Sequence, residues 1–261
     1  MSTQISVQSD KALAFRQMHN AARPLILFNI WGPGSAKAVA SAGAVALATG
    51  SWSVAAANGY ADGEQVPLEF ALANLRRIVA STALPVTFDL ESGYGANAAD
   101  VGRSVAATID AGAVGCNLED SYPADGSLRP IAEQAARLTQ ARAAAQRSGS
   151  AFFINARTDV FFQHPADAHD GGMVAQALER ARAYADAGAD GLFVPGLADA
   201  QLIAELVAAS PLPVNIMVGP ATPSFDRLAA AGVARISHGP GPYLAAMKAL
   251  ETAAAAIYRG A

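Results

Sequence analysis

The sequence predicts an α/β fold, a (β/α)8 TIM barrel with an extra helix ahead of its first strand. Three observations lead there. Eight short runs rich in β-formers alternate with longer Ala-rich segments of helical period. The runs lack a clean apolar/polar alternation, as strands of a parallel sheet buried on both faces do. Eight such units fill 261 residues, a usual length for one such barrel, so a single domain over 1–261 is expected. A doubly wound sheet is the alternative, but no G-x-G-x-x-G follows the first strand.

In chain order, "SDKALAFRQMHNA" reads as the extra helix, with Ser9 or Asp10 as its cap. The strands are "LILFNIW" from Leu25, "AVALATG" from Ala44, "VTFDLE" from Val86 and "AVGCNLED" from Ala113. They continue with "AFFINARTD" from Ala151, "GLFVPG" from Gly191, "VNIMV" from Val214 and "ARISHG" from Ala234. Amphipathic segments such as "LEFALANLRRIVAS", "AADVGRSVAATIDAG" and "MVAQALERARAYADAG" lie between them. Three of the helices close on an Ala-Gly pair, at Ala111-Gly112, Ala187-Gly188 and Ala231-Gly232, where glycine supplies the left-handed residue that ends a helix. The tail "GPYLAAMKALETAAAAIYRG" is helical and apolar on much of its surface. It is either buried in the barrel wall or packed on a partner chain.

Composition narrows the function. Hydrophobic residues make up 52% and the net charge is −4, with no basic aromatic patch, so nucleic acid is not an expected partner. The single Cys116 excludes an internal disulfide framework and a cysteine-based zinc site. No apolar stretch reaches the roughly 18 residues of a membrane span. The first residues are polar and lack a signal-peptide core. A cytoplasmic protein with no membrane partner is the expectation.

Polar groups gather at the C-terminal ends of the strands, where barrel enzymes build their sites. They include Thr49-Gly50-Ser51-Trp52, Asp89 and Glu91, Glu119-Asp120, Asn155, Arg157 and Asp159, Asn215, and Ser237-His238. Acids gathered on one rim repel unless a cation sits among them. Hard oxygen donors without a His/Cys set suit Mg²⁺, which keeps waters and takes only one or two carboxylates directly. Asp89 and Glu91 hold alternate positions and are expected to face one site. Arg157 suits bidentate capture of a carboxylate, against the plainer role of pairing with Asp159 or Glu119. His238 reads as a structural or rim residue, and Cys116 as a small core residue. "SHGPGPY" fits a phosphate-binding loop or a turn opening the last helix equally well.

Those residues resemble the isocitrate lyase/phosphoenolpyruvate mutase superfamily. The resemblance rests on "TGSWSVAAANGYAD", "FDLESGYG", "NLED" and "INARTD" in that order, and runs from Leu25 to the C-terminal helix. It implies a barrel whose eighth helix is exchanged between paired subunits, in a homodimer or homotetramer. It implies Mg²⁺ (or Mn²⁺), a small 2-oxo or 2-hydroxy carboxylate as substrate, and an enolate intermediate. Asp89 matches the direct metal ligand; Asp62, Glu91 and Glu119 match acids that hold the metal's waters. Arg157 matches the arginine for substrate carboxylate or phosphonate. Ser51 and Trp52 match the loop whose N–H groups hold the oxo acid, and Asn215 a position touching the second substrate fragment.

Departures from the pattern choose the branch. The lyases carry "K-K/R-C-G-H" after strand four; here the loop reads "EDSYPADGSLRP", with no Cys, Lys or His. Mutases carry a lysine and an Asn-Ser pair in that loop; here Ser121 and Gly126-Ser127 stand instead. Val194-Pro195-Gly196 stands where mutases have a histidine, and Glu91 replaces the more usual Asp. The leading expectation is a C–C lyase or decarboxylase, with Tyr94, Tyr122 or Ser127 as candidate proton donors. C–P chemistry (phosphonopyruvate hydrolysis or a phosphonomutase reaction) is the alternative, and a non-catalytic oxo-acid-binding barrel is the alternative of another class.

Overall fold

A computed structural model describes residues 2–260, with side chains from 7 to 259. Helix α1 (Ser2–Gln17) precedes β1 (Leu25–Leu27), α2 (Pro33–Ser41), β2 (Leu47–Ala48), α3 (Ser51–Ala57) and α4 (Leu68–Ala80). There follow β3 (Val86–Asp89), α5 (Ala98–Asp110), β4 (Gly115–Glu119), α6 (Ile131–Arg147), β5 (Phe153–Arg157) and α7 (Gly171–Asp186). The chain ends with β6 (Gly191–Phe193), α8 (Ala200–Ala209), β7 (Val214–Met217), α9 (Phe225–Ala230), β8 (Arg235–Ser237) and α10 (Gly241–Gly260). The strands form one parallel sheet in the order β1-β8-β7-β6-β5-β4-β3-β2. A parallel bridge between Ile30 and Thr49 joins β1 to β2, with Ile30 N–H donating to Ala48 O at 2.9 Å and Gly50 N–H to Ile30 O at 3.2 Å. The fold is the (β/α)8 barrel that the sequence predicts.

All eight expected runs contain the observed strands. The Ala-Gly pairs end α5, α7 and α9 as expected: Gly112, Gly188 and Gly232 have φ of 96°, 95° and 86°. The helices face the strands with spaced apolar residues, as in Leu72, Leu75 and Ile78 of α4, all fully buried. Each such side chain contributes roughly 1.5–3 kcal/mol by burial.

One boundary differs. Ser9 and Asp10 lie inside α1, not at its start, because the helix runs a further two turns upstream. Gln8 ties that upstream part to the barrel, donating through Nε2 to Ile109 O at 2.8 Å and Ala113 O at 2.9 Å. Ala12 and Phe15 pack on Leu25, Leu27, Ala46, Val114 and Phe153, so α1 stoppers the N-terminal mouth of the barrel. Arg16 fixes it by an ion pair to Asp190 at 2.6 Å.

The last helix is the exception to burial. Leu244, Leu250, Ile257 and Tyr258 of α10 are exposed, Ile257 by 70%. The outer face of β1 is open too, with Ile26 and, just after it, Phe28 each 45% exposed. No described helix is long and apolar enough to cross a membrane.

Candidate active site

A cavity of about 200 Å³ opens at the C-terminal ends of the strands. Ser51, Trp52, Asp62, Asp89, Asn117 and Arg157 line one part of its wall, and Phe162, Phe193, Pro195 and Met217 another. A smaller hollow beside it is bounded by Asp89, Glu91, Ser51 and Tyr94. Of the residues expected at the site, Ser51, Trp52, Asp62, Asp89 and Arg157 line the larger cavity and Glu91 the smaller.

Asp89 closes β3 and is clamped from two sides. Its Oδ2 accepts the Ser51 N–H at 3.0 Å, and its Oδ1 accepts from Asn117 Nδ2 at 3.4 Å. Ser51 is the first residue of α3, so its N–H has no intrahelical partner and is available for this bond. Trp52 is 39% exposed and stands edge-on to Tyr243 of α10, 6.0 Å between centroids.

Glu91 reaches the site by a route other than strand alternation. The strand ends at Asp89, and Glu91 adopts a left-handed φ of 52°. Two other non-glycine residues, Glu64 and Tyr94, are left-handed as well, at 60° and 51°. Such residues cost on the order of 1–3 kcal/mol each. Hydrogen bonds among these same residues offset that strain. Glu91 accepts from the Glu64 N–H at 2.5 Å and the Tyr94 hydroxyl at 2.6 Å. Glu64 in turn accepts from Ser92 Oγ and Tyr94 N–H, both at 2.7 Å. The loop carrying Asp62 is thereby latched to the turn after β3.

The acids push one another's protons on. Burial raises the Glu91 carboxyl to about 7, with Asp89 and Asp62 adding and Tyr94 and Glu64 opposing. Burial, then Asp89, raises Asp62, against the Ser51 hydroxyl. Burial also raises Glu119, which closes β4 and pairs with Arg157 at 2.6 Å. Arg157 makes a second, bidentate contact with Asp159, at 2.6 and 3.0 Å. Burial alone would lower the guanidinium, but Glu119 and Asp159 outweigh it and hold it charged. Arg157 therefore makes the ion pairs weighed from the sequence, with both Glu119 and Asp159, while its side chain also lines the cavity.

Three expected rim groups lie elsewhere. Asp120 turns to the other face of β4, fully buried, where it accepts from Arg180, Tyr184 and the Asp159 N–H; neighbours along a strand point to opposite faces. Asn215 does not line the cavity. It sits behind Ser237, whose hydroxyl donates to Asn215 Oδ1 at 3.0 Å. His238 is structural, with Nδ1 3.0 Å from Leu27 O and its ring against Phe28. Cys116 is a fully buried core residue.

The 120s loop folds on itself. Tyr122 turns away to Glu133 and lies over Arg129, and the Ser127 hydroxyl donates to Asp125. Of the three candidate proton donors, Tyr94 shares a wall with Asp89. Sequence reasoning missed Asn29 and Asn117. Asn29 Oδ1 accepts the His238 and Gly239 N–H groups at 2.9 and 3.0 Å, joining β1 to the loop that opens α10. The signal was present: Asn29 follows Leu25 and Leu27 at alternate positions, and Asn117 precedes Glu119 by two.

Among the described residues, no three His, Cys, Asp or Glu side chains converge to hold a metal ion. Asp62 and Asp89 are the carboxylates on the larger cavity wall, oxygen donors of the kind Mg²⁺ takes one or two at a time while keeping its waters.

Comparison with known proteins agrees with the geometry. A family model described as phosphoenolpyruvate phosphomutase matches residues 15–258. A solved structure from Burkholderia cenocepacia J2315, described only provisionally as a phosphonomutase, is 57% identical over 97% of this chain and 100% of its own, with a TM-score of 0.93. A phosphonopyruvate hydrolase, solved with oxalate and Mg²⁺, is 25% identical over 96% and 87% of the two chains, with a TM-score of 0.84. The 2-methylisocitrate lyase of Escherichia coli K12 is 33% identical over 73% of this chain and 64% of its own. An oxaloacetate decarboxylase of Rhodopseudomonas palustris BisA53 is 33% identical over 72% and 63%. The chain belongs to the phosphoenolpyruvate mutase family of the isocitrate lyase/phosphoenolpyruvate mutase superfamily.

Proposed function

We propose that this protein is a Mg²⁺-dependent lyase or decarboxylase that breaks a C–C bond in a small 2-oxo or 2-hydroxy acid. The observation that carries this reading is the apolar part of the cavity lining. Beyond Arg157, the cavity offers Phe162, Phe193, Pro195 and Met217. A phosphonate dianion would meet no second cation there, and Arg157 is already shared by two carboxylates.

In this reading Asp89 would ligate Mg²⁺, or Mn²⁺ in its place, and Asp62, Glu91 and Glu119 would hold its waters. Bound there, the ion supplies a Lewis acid for the substrate's 2-oxo group. Arg157 orients a carboxylate through its planar fork. In the first turn of α3 the Ser51 N–H is given to Asp89, and the Trp52 N–H, with no intrahelical partner, would face the negative charge that develops on the enolate. Tyr94, which bounds the smaller hollow beside Asp89 and donates its hydroxyl to Glu91, is the candidate in this reading for the proton that the enolate finally takes.

C–P chemistry is the second reading, favoured by the similarity to the Burkholderia cenocepacia structure. Ser121 and Gly126-Ser127 stand where that chemistry has lysine and Asn-Ser in its loop. The test is a panel of oxaloacetate, 2-methylisocitrate, 2,3-dimethylmalate and phosphonopyruvate, with Mg²⁺ and with EDTA. Metal-dependent release of a 2-oxo acid from one C–C substrate is expected. Metal-dependent phosphate or phosphoenolpyruvate from phosphonopyruvate alone would overturn the reading. Binding without any turnover would favour the non-catalytic barrel.

The working form is a homo-oligomer, a dimer or tetramer joined by exchange of α10. Exposed Leu244, Leu250 and Ile257 on α10, together with Ile26 and Phe28 on the open face of the barrel, support this. Light scattering of the purified protein tests it; a monomer at micromolar concentration would sink it.

A further inference from the structure

Arg235 opens β8 inside the barrel and is 1% exposed. Among the described residues it has no carboxylate within ion-pair distance. Its side-chain hydrogen bond goes to Asn117 Oδ1 at 3.3 Å, and its Nε and Nη1 are buried without a protein acceptor. Burial lowers the guanidinium to about 10, and Asp89 is the first group that counters it. An isolated buried cation is costly, so its position calls for a cause beyond packing.

The cause lies in Asn117. Its Oδ1 accepts from two donors, Arg235 Nη2 and Asn155 Nδ2, the latter at 3.0 Å. An amide oxygen facing two donors fixes the flip of the group. The Asn117 NH₂ must then point the other way, where it meets Asp89 Oδ1 at 3.4 Å. The barrel makes room for this polar layer with glycine: a Cβ on Gly191 would come within 2.8 Å of Asn155 Oδ1.

We propose that Arg235 is a positioning residue for the metal site: acting through the Asn117 amide, it fixes the orientation in which Asp89 faces the cavity. This rests on the reading of Asp89 as the metal ligand. It assigns a use to a buried cation that, among the described residues, neither lines the cavity nor pairs with an acid.

The test titrates metal-free protein with Mn²⁺, following free Mn²⁺ by paramagnetic resonance, for wild type, Arg235→Met, Asn117→Leu and the double variant. Each single variant should bind Mn²⁺ about 10–100-fold more weakly, as loss of groups behind a metal ligand does. The double variant should lose no more than either single one, since both act through one path. A Met variant with lowered thermal midpoint and wild-type affinity would overturn the proposal. Should that variant not fold, Asn117→Leu decides: wild-type affinity there overturns it equally. Wild-type protein that binds no Mn²⁺ removes the metal reading instead. Metal-free crystal structures then decide the positioning alone. Asn117 turned from Asp89 in Arg235→Met supports it; the contact intact overturns it.

Discussion

Lowering the pH from 7 to 5 should destabilise the protein through His19. This residue follows α1, stacked on Phe153 at 3.9 Å between centroids and edge-on to Phe15 at 4.8 Å. Its Nδ1 lies 2.9 Å from Phe15 O, so Nδ1 carries the hydrogen and donates it. Nε2 is left a bare nitrogen, buried with no partner. Protonation would bury an N–H without an acceptor, in an apolar stack and close to Arg235. Burial first, then Arg235, lowers the His19 pKa to about 3 from the model-compound 6.5. The sign follows. Between 6.5 and 3 the unfolded chain binds a proton that the folded one refuses, so stability is full above 6.5 and is lost as pH falls. At pH 5 the loss spans about 1.5 pH units, or about 2 kcal/mol. Urea unfolding at pH 7 and pH 5, at one protomer concentration, measures it in wild type and His19→Gln. Glutamine can still donate to the Phe15 carbonyl and does not titrate. Raised acids such as Glu91 and Glu119 act in the opposite sense but equally in both proteins, so from pH 7 to pH 5 wild type should lose about 2 kcal/mol relative to the variant. The same change in both proteins would refute the stated cause.

Asp89→Ala should abolish metal binding and turnover while the far-ultraviolet spectrum and thermal midpoint stay near wild type; full activity would remove Asp89 from the site. Arg157→Lys should lower kcat/KM on the order of 10–100-fold, about 1.4–2.7 kcal/mol of transition-state binding, because an ammonium cannot serve Glu119, Asp159 and a substrate carboxylate in one plane; unchanged kinetics would exclude that role. Leu250→Glu with Ile257→Glu should shift the oligomer towards monomer in light scattering, whereas an unaltered mass would place the interface elsewhere. Oxalate, as a 2-oxo acid mimic, should bind at least about tenfold more tightly with Mg²⁺ than with EDTA by calorimetry; equal affinity would mean that the acid needs no metal.

The barrel was legible because its punctuation is local. Gly112, Gly188 and Gly232 end helices by backbone conformation alone, and the runs that form β4, β6 and β8 follow them directly. The rim was legible in outline for the same reason: polar residues end runs that are otherwise apolar. What could not be read was anything set by backbone reversal or by layers deeper than the rim. Glu91 was assigned to the site by strand alternation, but the strand stops at Asp89 and a left-handed residue swings Glu91 round. Asp120 was grouped with Glu119 by proximity in sequence, although adjacent strand positions face opposite sides. Arg235 was invisible because a lone arginine at the start of a short strand reads as a surface residue. Only the closed barrel shows that its alternate partner Ser237 and it point inward together.

The charges of the site explain why the metal and the acid belong together. Asp62, Asp89, Glu91, Glu119 and Asp159 crowd the rim, against Arg157 among them and Arg235 beneath. Burial first, and the neighbouring acids after it, raises Asp62, Glu91 and Glu119. A dicarboxylate entering that field meets repulsion from every side but one, since Arg157 is already engaged by Glu119 and Asp159. On the proposed function, a divalent ion held at Asp89 would reverse the balance twice over. It would let the acids give up their protons, and it would offer the incoming carboxylate a positive partner. The guanidinium would then have only to orient the substrate, not to neutralise it. That division of labour would suit a cavity whose lining carries one cation, Arg157, and a loop between β4 and α6 that has neither lysine nor histidine.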